Sequence, residues 1–447
     1  MSLPHYAEYS PSEIVGLGSL PSHWGVRRRA DLSALIQTGP FGSQLYSSDY
    51  VDDATPVINP SNIDAGRILP DWQCTVPDEI VERLANHKLQ AGDIVFARRG
   101  EMGRCALARK ENEGWLCGTG SLIVRLDSMN PAFAATYLST SFMQQWLQLE
   151  AVGSTMQNLN ASILGRIPVP IPTQHEQAAI VTFLDREATK IDTLIAEQEK
   201  LLTLLDEKRQ ATISHAVTRG LRQDIPMKDW PRLGTIPAHW EVKRLKRVSP
   251  QITVGIVVEP SKYYVEDGIP ALRSLNVKSG KIILDQLVYI DEAANQALSK
   301  SKLRVGDLVA VRTGQPGVTA VVPKELNGCN CIDLIVIRKP TEGSEFYLCW
   351  YLGSDVAVRQ FAEGSGGAIQ QHFNIGTAVN LVVPVPPEKE QIEIASFLDE
   401  ETKRLDRLKL AAEHSVELLT ERRAALITAA VTGKIDVRNA VPDALAA

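Results

Sequence analysis

Residues 173–220 have the sequence TQHEQAAIVTFLDREATKIDTLIAEQEKLLTLLDEKRQATISHAVTRG, with no Pro and no Gly before the final Gly220. The apolar side chains recur at alternating steps of three and four residues, which predicts one helix of about 45 residues and about 65 Å. The apolar stripe is narrow, as in a coiled-coil seam, and lacks the breadth of a globular helix face. Such a seam needs a second helix to cover it.

The second helix is predicted by an internal repeat. A shift of 214 positions aligns HEQAAIVTFLDREATKIDTL, from His175, with KEQIEIASFLDEETKRLDRL, from Lys389. The two stretches therefore predict two similar long helices that pair through their seams. The seam residues are Val181, Leu184, Ile191, Ile195, Leu202 and Leu205 in the first helix and Leu398, Leu405, Val416, Leu419 and Leu426 in the second.

Each predicted helix follows a segment in which short apolar runs alternate with helical patterns. The segments open on LGSLPSHW (17–24) and LGTIPAHW (233–240) and close on the Pro-rich runs RIPVPIP and LVVPVPP. We expect strands at the apolar runs, including one over residues 281–290, and helices over residues 131–151 and 345–364. The Pro-rich runs predict edge strands, because Pro cannot pair within a central strand.

The order is thus domain, helix, domain, helix. We predict an internally duplicated α+β protein, with two mixed α/β domains separated by two long antiparallel helices that are paired as a coiled coil. If the helices are antiparallel, one chain imitates a symmetric dimer, with an approximate two-fold axis. The predicted boundaries are 1–16 (N-terminal tail), 17–172 (first domain), 173–219 (central helix), 220–386 (second domain), 387–434 (distal helix) and 435–447 (C-terminal tail).

Composition indicates a cytoplasmic protein. The 44% of apolar residues can build several cores, but no run approaches 18 consecutive apolar residues, and the N-terminus lacks the pattern of an export signal. The six cysteines form no Cys-x-x-Cys pair, which favours thiols in a reducing compartment over a zinc site. The net charge of −6 argues mildly against a nucleic-acid binder. Residues 174–217 contain eight acidic and five basic residues, so the acidic residues are concentrated in the predicted helix and the objection is weaker for the rest of the chain.

The motifs of an enzyme are missing from the sequence. It has no Gly-rich cofactor loop, no P-loop, and only a partial methyltransferase-like string at Asn59-Pro60-Ser61-Asn62, which a turn explains better. We therefore predict neither catalytic residues nor a metal site. His23 and His239, each beside a Trp, are expected to pack and form hydrogen bonds, and Thr173 with Glu176 predicts a capping box at the start of the first helix.

Taken together, these motifs carry a family resemblance. LPxHW, TGPFGSQLYSSDY, TPVINPSNI, AGDIVFARRGEMG and PVPIPTQHEQAAIVTFLD, several of them repeated in the second half, resemble the specificity subunit of Type I restriction-modification systems (the HsdS family) over residues 17–434. The second half departs from the pattern at QITVGIVVEPSKYY (251–264), which stands where the first half has TGPFGSQLY. Residue roles there transfer less directly.

The resemblance implies a function without catalysis on this chain. Each domain would recognise one half of a split, asymmetric target in double-stranded DNA, while the helices set the gap and hold two methyltransferase (modification) subunits. Restriction (endonuclease/translocase) subunits would complete the complex. S-adenosylmethionine, ATP and Mg²⁺ would be bound by those partners, with no cofactor on this chain and no membrane association.

DNA recognition requires Arg or Lys for guanine, Asn or Gln for adenine, and basic groups for phosphates, carried on loops that a rigid sheet holds in place. We expect these loops to converge on a basic face in each domain. The candidates in the first domain are Ser43, Gln44, Tyr46, Asn59, Asn62, Arg98, Arg99 and Arg104. The candidates in the second domain are Tyr263, Tyr264, Arg273, Asn276, Arg312 and Gln315.

Two other classes remain open at this point. A free-standing bipartite DNA-binding protein or regulator would share the duplicated organisation, although the acidic balance and the lack of a helix-turn-helix pattern disfavour it. A structural adaptor would need no DNA contact at all. The convergence of the candidate loops distinguishes a DNA-binding protein from an adaptor.

Overall fold

The computed structural model describes residues 3–12, 14–64, 66–98, 103–150, 159–363 and 373–440. The chain divides into two compact units. Unit 1 consists of Met1–Gln198 and His414–Ala447, and unit 2 consists of Glu199–Glu413. Each unit therefore contains one of the predicted domains and parts of both long helices.

The first half of the chain contains thirteen strands and five α-helices among its described residues. The strands are β1 (Tyr9–Pro11), β2 (Ser19–Pro21), β3 (Gly25–Arg28), β4 (Ser33–Thr38), β5 (Thr55–Ile58), β6 (Ile63–Asp64), β7 (Arg67–Ile68), β8 (Thr75–Val76), β9 (Ile94–Ala97), β10 (Cys105–Leu107), β11 (Leu116–Cys117), β12 (Ser121–Leu126) and β13 (Pro168–Ile171). The helices are α1 (Asp78–Arg83), α2 (Pro131–Leu138), α3 (Ser141–Glu150), α4 (Ala161–Gly165) and α5 (Gln174–Arg219).

The second half repeats this order. Its strands are β14 (Met227–Trp230), β15 (Gly234–Pro237), β16 (Glu241–Arg244), β17 (Ile252–Val254), β18 (Tyr264–Val265), β19 (Ile269–Leu272), β20 (Val277–Lys278), β21 (Lys281–Ile282), β22 (Val288–Ile290), β23 (Leu308–Val311), β24 (Thr319–Val321), β25 (Asn330–Cys331), β26 (Leu334–Ile337) and β27 (Val382–Val385). Its helices are α6 (Leu245–Val248), α7 (Glu292–Ala297), α8 (Glu345–Leu352), α9 (Asp355–Glu363), α10 (Ile375–Asn380) and α11 (Glu388–Val431).

A four-stranded antiparallel sheet forms the centre of each domain, in the order β10-β9-β12-β4 in the first and β17-β26-β23-β24 in the second. Strand β9 (IVFA) and strand β23 (LVAV) are completely buried, which explains their continuous apolar runs. The Pro-rich strands β13 and β27 pair only with β3 and β16, in two-stranded sheets, as expected for strands that cannot donate from every residue.

The two long helices pack together as predicted. Helix α5 crosses from unit 1 into unit 2, and α11 crosses back. In unit 2, Lys409 Nζ lies 2.8 Å from Asp206 Oδ1, and Arg209 lies 2.5 Å from Asp406 Oδ1. Asp206 of α5 thus pairs with Lys409 of α11, and the later residue Arg209 pairs with the earlier residue Asp406. The helices are therefore antiparallel.

The equivalent Arg–Asp pair recurs in unit 1, where Arg423 Nε lies 2.8 Å from Asp192 Oδ1. Each residue of this pair is related to one of the unit 2 pair by the repeat offset of 214. Five of the seam residues are fully buried: Leu184, Ile191, Leu205, Leu398 and Leu405. Six are half-buried: Val181, Ile195, Leu202, Val416, Leu419 and Leu426.

Segments near both ends of the sequence are integral to unit 1, although the sequence pattern suggests only tails there. Tyr9 pairs with Pro21 in the β1–β2 ladder, and its hydroxyl donates to the carbonyl of Gly433 at 3.0 Å. Asp436 N donates to the carbonyl of Pro4 at 2.8 Å, and Val437 is completely buried in the core of the unit. Residues 3–12 and 433–440 thus stabilise one another.

Two predicted helices are divided. The stretch 131–151 contains α2 and α3, and the stretch 345–364 contains α8 and α9. At each division a hydroxyl group, of Thr140 or of Ser354, accepts a hydrogen bond of 3.4 Å from the backbone N–H three residues further on. The prediction of continuous helices was wrong, because apolar periodicity persists through an internal cap.

The strand predicted over residues 281–290 is also divided, into β21 and β22. Gln286 lies between them with a φ of 53°, a left-handed conformation that a continuous strand does not contain. The apolar side chains on either side of this turn produced the continuous pattern.

Candidate nucleic-acid interface

Glu176, in the first turn of α5, connects the helix to the first domain. Its carboxylate accepts hydrogen bonds from the backbone N–H and the hydroxyl of Thr173, at 3.0 and 2.8 Å, which confirms the predicted capping box. The same carboxylate lies 2.8 Å from Nε2 of His23 and accepts from Nε1 of Trp24 at 3.3 Å. The LPxHW motif is therefore a structural contact for the start of the helix.

The second domain repeats this connection. Glu390, in the first turn of α11, lies 2.9 Å from Nε2 of His239 and accepts from Nε1 of Trp240 at 3.0 Å. Burial raises the pKa of Glu176 and of Glu390, but hydrogen bonds outweigh it and hold both pKa values below the ordinary value of 4.5. These bonds come from His23, Thr173 and Trp24 for Glu176, and from His239 and Trp240 for Glu390. Both carboxylates are held ionised at the junction of helix and domain.

The glutamine that follows each of these glutamates fixes a second point of the same junction. Gln177 accepts from the backbone N–H of Asn130 at 2.7 Å and donates to the carbonyl of Pro172 at 2.9 Å. Gln391 accepts in the same way from Ser344 at 2.9 Å and donates to the proline carbonyl five residues before it at 2.8 Å. The repeated Glu-Gln thus orients each domain on its own helix terminus.

In the first domain, the candidate loops emerge at one end of the central sheet. Leu122 of β12 is opposite both Thr38, the last residue of β4, and Phe96 of β9. The loops that follow β4 and β9 and the loop that precedes β12 therefore leave the sheet together. Their backbones come close, since a Cβ built on Gly39 would lie 1.8 Å from the carbonyl oxygen of Gly118.

The arginines of this loop end are held by specific contacts. The guanidinium carbon of Arg98 lies 5.0 Å from the centroid of the Phe41 ring, a cation–π contact, and its Nε donates to the carbonyl of Leu159 at 3.3 Å. Arg104 donates to the carbonyl of Pro60 at 2.7 Å. The structure thus brings together three loops that are remote in sequence.

The second domain has the equivalent loop end. Leu334, the first residue of β26, is opposite Val311, the last residue of β23, and the neighbouring Ile335 is opposite Val254, the last residue of β17. Arg312 follows β23 as Arg98 follows β9. The carbonyls of Arg98 and Arg312 accept from Leu159 and Phe373 at 3.1 and 3.0 Å, so the two arginines occupy the same place in the fold.

The surroundings of the two arginines differ. Arg312 Nη1 lies 2.7 Å from Oδ1 of Asp333, with the two side chains 31% and 41% exposed. Leu334 is opposite Val311 as Ser121 is opposite Ala97, so the first domain has Gly120 where the second domain has Asp333. The loop end of the second domain is therefore less basic than the sequence suggests, because a carboxylate partly neutralises its arginine.

A tight turn after β5 and after β19 places two further pairs of candidates. Asn62 and Asn276 are buried, and their side-chain oxygens accept from the backbone N–H of Asn59 and Arg273, both at 2.9 Å. Their amide nitrogens donate to carbonyls across the turn. The prediction that Asn62 and Asn276 contact DNA does not agree with this environment, because both amides are committed to the turn.

The first residue of this turn differs between the domains and lies at the loop end. Asn59 donates to Cys74 Sγ at 3.7 Å, whereas the half-buried Arg273 donates to the carbonyl of Gln286 at 2.7 Å. Asparagine and arginine suit different base edges, adenine and guanine respectively. Equivalent positions thus carry different recognition chemistry.

The remaining candidates lie on the segments that follow β4, β17 and β23, except Tyr264, which begins β18. Those that are exposed are Ser43, Gln44, Tyr46, Tyr264 and Gln315. Tyr263 is half-buried and packs against the apolar cluster that contains Ile256. Arg99 lies outside the described residues.

Sequence reasoning missed Phe41 and Asp333 as residues that hold the arginines in place. Phe41 belongs to the TGPFGSQLYSSDY motif, but its contact with Arg98 joins two loops. No sequence pattern identified Asp333, because its contact with Arg312 joins two segments that are apart in the sequence. The contacts of Glu176 and Glu390 had a signal, because the His-Trp and Glu-Gln pairs recur together with nearly constant separations of 153 and 151 residues.

Within the part of the chain that the structure describes, no group of His, Cys, Asp and Glu side chains is arranged to hold a metal ion. No helix there is long and apolar enough to cross a bilayer. All six cysteines are free thiols, of which five are buried and Cys74 is half-buried. Burial raises the pKa of Cys105 and of Cys349 to about 12, so these thiols are not nucleophiles at neutral pH.

Two domains, each with polar loops that converge at one sheet end and each attached to a long helix, define an internally duplicated protein. The family described as "Type I restriction modification DNA specificity domain" matches residues 21–203. The chain is 22% identical over 432 residues to the Type I restriction enzyme EcoKI specificity subunit of Escherichia coli (strain K12), covering 94% of this chain and 90% of that protein. It is 23% identical over 333 residues to the MjaVIII specificity subunit of Methanocaldococcus jannaschii, covering 71% and 74%.

Solved structures have the same fold. One, from a study of complex assembly and conformational transition of the type I R-M system, is similar with a TM-score of 0.65 and 19% identity over 93% of this chain and 99% of that chain. The HsdS subunit from Thermoanaerobacter tengcongensis is similar with a TM-score of 0.54 and 18% identity over 93% and 98%. Over most of its length the chain is thus similar to specificity subunits of Type I restriction-modification systems, and residues 21–203 match the DNA specificity domain of that family.

Proposed function

We propose that each domain recognises one half of a split, asymmetric DNA target through the loop end of its central sheet. One observation carries this proposal: in both domains, loops that are remote in sequence meet at the same end of the sheet and present polar and basic side chains. A rigid sheet is suited to hold such loops against base edges. The half-sites differ because equivalent positions carry different residues.

Three residue pairs carry the proposed difference. Asn59 and Arg273 begin the same turn, and Arg98 and Arg312 follow equivalent strands but have different neighbours. An arginine that contacts guanine through two hydrogen bonds discriminates against other bases by about 1–3 kcal/mol. The third pair, Gly120 and Asp333, alters the charge beside the arginine that follows the strand.

The test is to replace the equivalent arginines separately. In cells that carry the complete restriction-modification system, we expect Arg98→Ala to relax one half of the methylated motif and Arg312→Ala to relax the other. Discrimination at the affected base pair should fall by about 10- to 100-fold, the loss expected when a specific contact to a base is removed. Sequencing that detects methylated bases across the genome measures both half-sites at once.

A matched control is Arg166→Ala, beside strand β13 of the first domain, whose guanidinium contacts Glu150 at 2.9 Å with both side chains exposed. We expect it to leave both half-sequences unchanged. Equal weakening of both halves by Arg98→Ala would mean a phosphate contact, and the assignment of one half-site to each domain would then be wrong.

Catalysis is proposed to lie on other subunits. Two methyltransferase subunits would dock on the long helices and on neighbouring surfaces, and restriction subunits would join them in the full complex. S-adenosylmethionine, ATP and Mg²⁺ would be bound by those partners. The complex would act in the cytoplasm, where its DNA lies.

The outer faces of the helices support docking of partners. Glu197, Glu199 and Glu207 of α5 are exposed, and so are the leucines Leu201 and Leu204, which are 40% and 49% exposed. Apolar side chains that remain exposed beside acidic groups are common at sites of protein association. The acidic groups would also be unfavourable for DNA, which reserves the helices for protein partners.

A further inference from the structure

The ion pair between Arg312 and Asp333 has an unusual setting. Both side chains are partly exposed at the loop end of the second domain, with Nη1 of Arg312 2.7 Å from Oδ1 of Asp333. Oδ2 of Asp333 lies 3.5 Å from the hydroxyl of Thr313, the residue after the arginine. The carboxylate of Asp333 therefore contacts two successive residues, Arg312 and Thr313, at the start of the loop that follows β23.

The stability of the fold does not explain this pair. Exposed ion pairs contribute little to stability. Asp333 also has a φ of 50°, a left-handed conformation that is unfavourable for residues other than Gly, Asn and Asp. Gly and Asn adopt this conformation as readily as Asp, so the backbone does not require a carboxylate beside Arg312, and its presence there indicates a functional constraint.

A carboxylate at this position also opposes contact with phosphate. DNA phosphates repel an adjacent carboxylate, so a loop end that only neutralises phosphate would carry the arginine alone. Base edges impose the opposite requirement. Guanine O6 and N7 accept from arginine, whereas the N4 amino group of cytosine donates to a carboxylate.

We propose that Asp333 determines specificity in the second domain. It orients Arg312 towards a guanine and accepts a hydrogen bond from the amino group of the cytosine in the same G·C base pair. This inference rests on the proposed recognition of one half-site by each domain. Arg312 supplies two donors, and the outer carboxylate oxygen of Asp333 supplies the acceptor. The two side chains match one G·C base pair. They disfavour an A·T pair at the same place, because the carboxylate acceptor would then face the O4 oxygen of thymine, which is also an acceptor.

The first domain provides the natural contrast. Gly120 occupies the position of Asp333, so the first domain has no side chain there, and the ring of Phe41 contacts Arg98. The aromatic contact orients the guanidinium but supplies no acceptor for cytosine. The two domains thus keep the same arginine and differ in what accompanies it.

The experiment compares Asp333→Asn and Asp333→Gly with the natural chain in cells that carry the complete system, by sequencing of methylated bases. Asn keeps the shape and tolerates the left-handed backbone, and Gly removes the side chain where the backbone most favours glycine. We expect both variants to methylate sites in which one G·C pair of the second-domain half-site is replaced, with discrimination there reduced about 10-fold or more. The first-domain half-site should not change.

The matched control is Glu241→Gln. Glu241 forms an exposed ion pair of 2.7 Å with Lys243 on strand β16, which precedes the sheet at the end away from the loops. We expect this variant to keep the whole motif. A relaxed motif in Glu241→Gln would mean that any lost ion pair in this domain has the same effect, and it would overturn the assignment to Asp333.

Arg312→Ala separates failure of this inference from failure of the proposed function. If Arg312→Ala relaxes the second half-site while both Asp333 variants leave it intact, the inference about Asp333 is wrong and recognition by the domain stands. An even loss of methylation at all positions in both Asp333 variants would also overturn the inference. If Arg312→Ala leaves both half-sites unchanged, the proposed function itself fails at this loop.

Discussion

At the scale of single residues, Glu176 and Glu390 account for the most strongly repeated part of the sequence. Each lies in the first turn of a long helix, and its carboxylate contacts the His and Trp side chains at the start of its domain. A carboxylate whose pKa is lower in the folded than in the unfolded protein stabilises the fold above the ordinary pKa. That contribution is lost as the pH falls through the lowered value.

We therefore expect Glu176→Gln to destabilise unit 1 at pH 7 by about 1.5–3 kcal/mol, the range for hydrogen bonds to a charged group. The difference from the natural chain should persist down to the ordinary pKa of 4.5. Below that pH the difference should shrink, because the natural carboxylate becomes protonated. Thermal unfolding of both chains across this pH range measures it.

The control for this prediction is Glu197→Gln, an exposed acid on the same helix within unit 1. Its effect on unfolding should be below about 0.5 kcal/mol, as for most exposed positions. A difference between Glu176→Gln and the natural chain that grows with acidification would contradict the proposed role of the carboxylate.

At the scale of elements, the antiparallel helices carry the proposed spacing of the half-sites. Helix α5 has 46 residues and α11 has 44, and each spans both units. The Arg–Asp pair between the helices occurs once in each unit, and the two pairs are related by the repeat offset. Regular spacing along such a seam means that whole heptads are the natural unit of change.

Insertion of one heptad into each helix, after Gln198 in α5 and after Glu413 in α11, should lengthen the pair by about 10 Å, at 1.5 Å per residue. We expect the gap in the methylated motif to widen by about three base pairs, at about 3.4 Å per base pair, with both half-sequences unchanged. Mapping of methylated motifs in cells measures gap and half-sequences together.

Insertion of four residues at the same points provides the comparison. It breaks the heptad repeat and should rotate the seam, so that assembly and methylation fall without a new, well-defined gap. Altered half-sequences with an unchanged gap after the heptad insertion would refute the proposal that the helices set the spacing.

At the scale of the whole molecule, unit 1 differs from unit 2 in its connections. In unit 2 one continuous segment leads from the end of α5 to β14, whereas in unit 1 the segments after α11 and before β2 meet through hydrogen bonds and through the buried Val437. Integrity of unit 1 thus depends on two segments that are far apart in sequence.

Val437→Ala should therefore destabilise unit 1 by about 2 kcal/mol, through the cavity left by the lost methyl groups. Hydrogen exchange of the full chain should accelerate in residues of unit 1, including those of β1, and remain unchanged in unit 2. The control is Val258→Ala in unit 2, whose side chain is 73% exposed and should have almost no effect. Equal acceleration in both units would mean that they unfold together.

Much of the architecture could be predicted from local and repeated patterns. The seam periodicity and the 214-residue repeat predicted both long helices to within a few residues of α5 and α11 and the order of domains and helices. The division of α2 from α3 was missed, because one hydroxyl cap interrupts a helix without changing its apolar pattern. Residue type alone also assigned Asn62 and Asn276 to DNA, although the turn uses both amides.

The sequence by itself determined the duplication, the paired helices and the family resemblance, since each depends on neighbouring residues or on direct repetition. Only the tertiary structure decided which side chains share the loop ends and which are buried. Arg312 meets Asp333 across 21 residues, and His23 meets Glu176 across 153. Such contacts depend on strand register and on the path of the backbone, and apolar periodicity specifies neither.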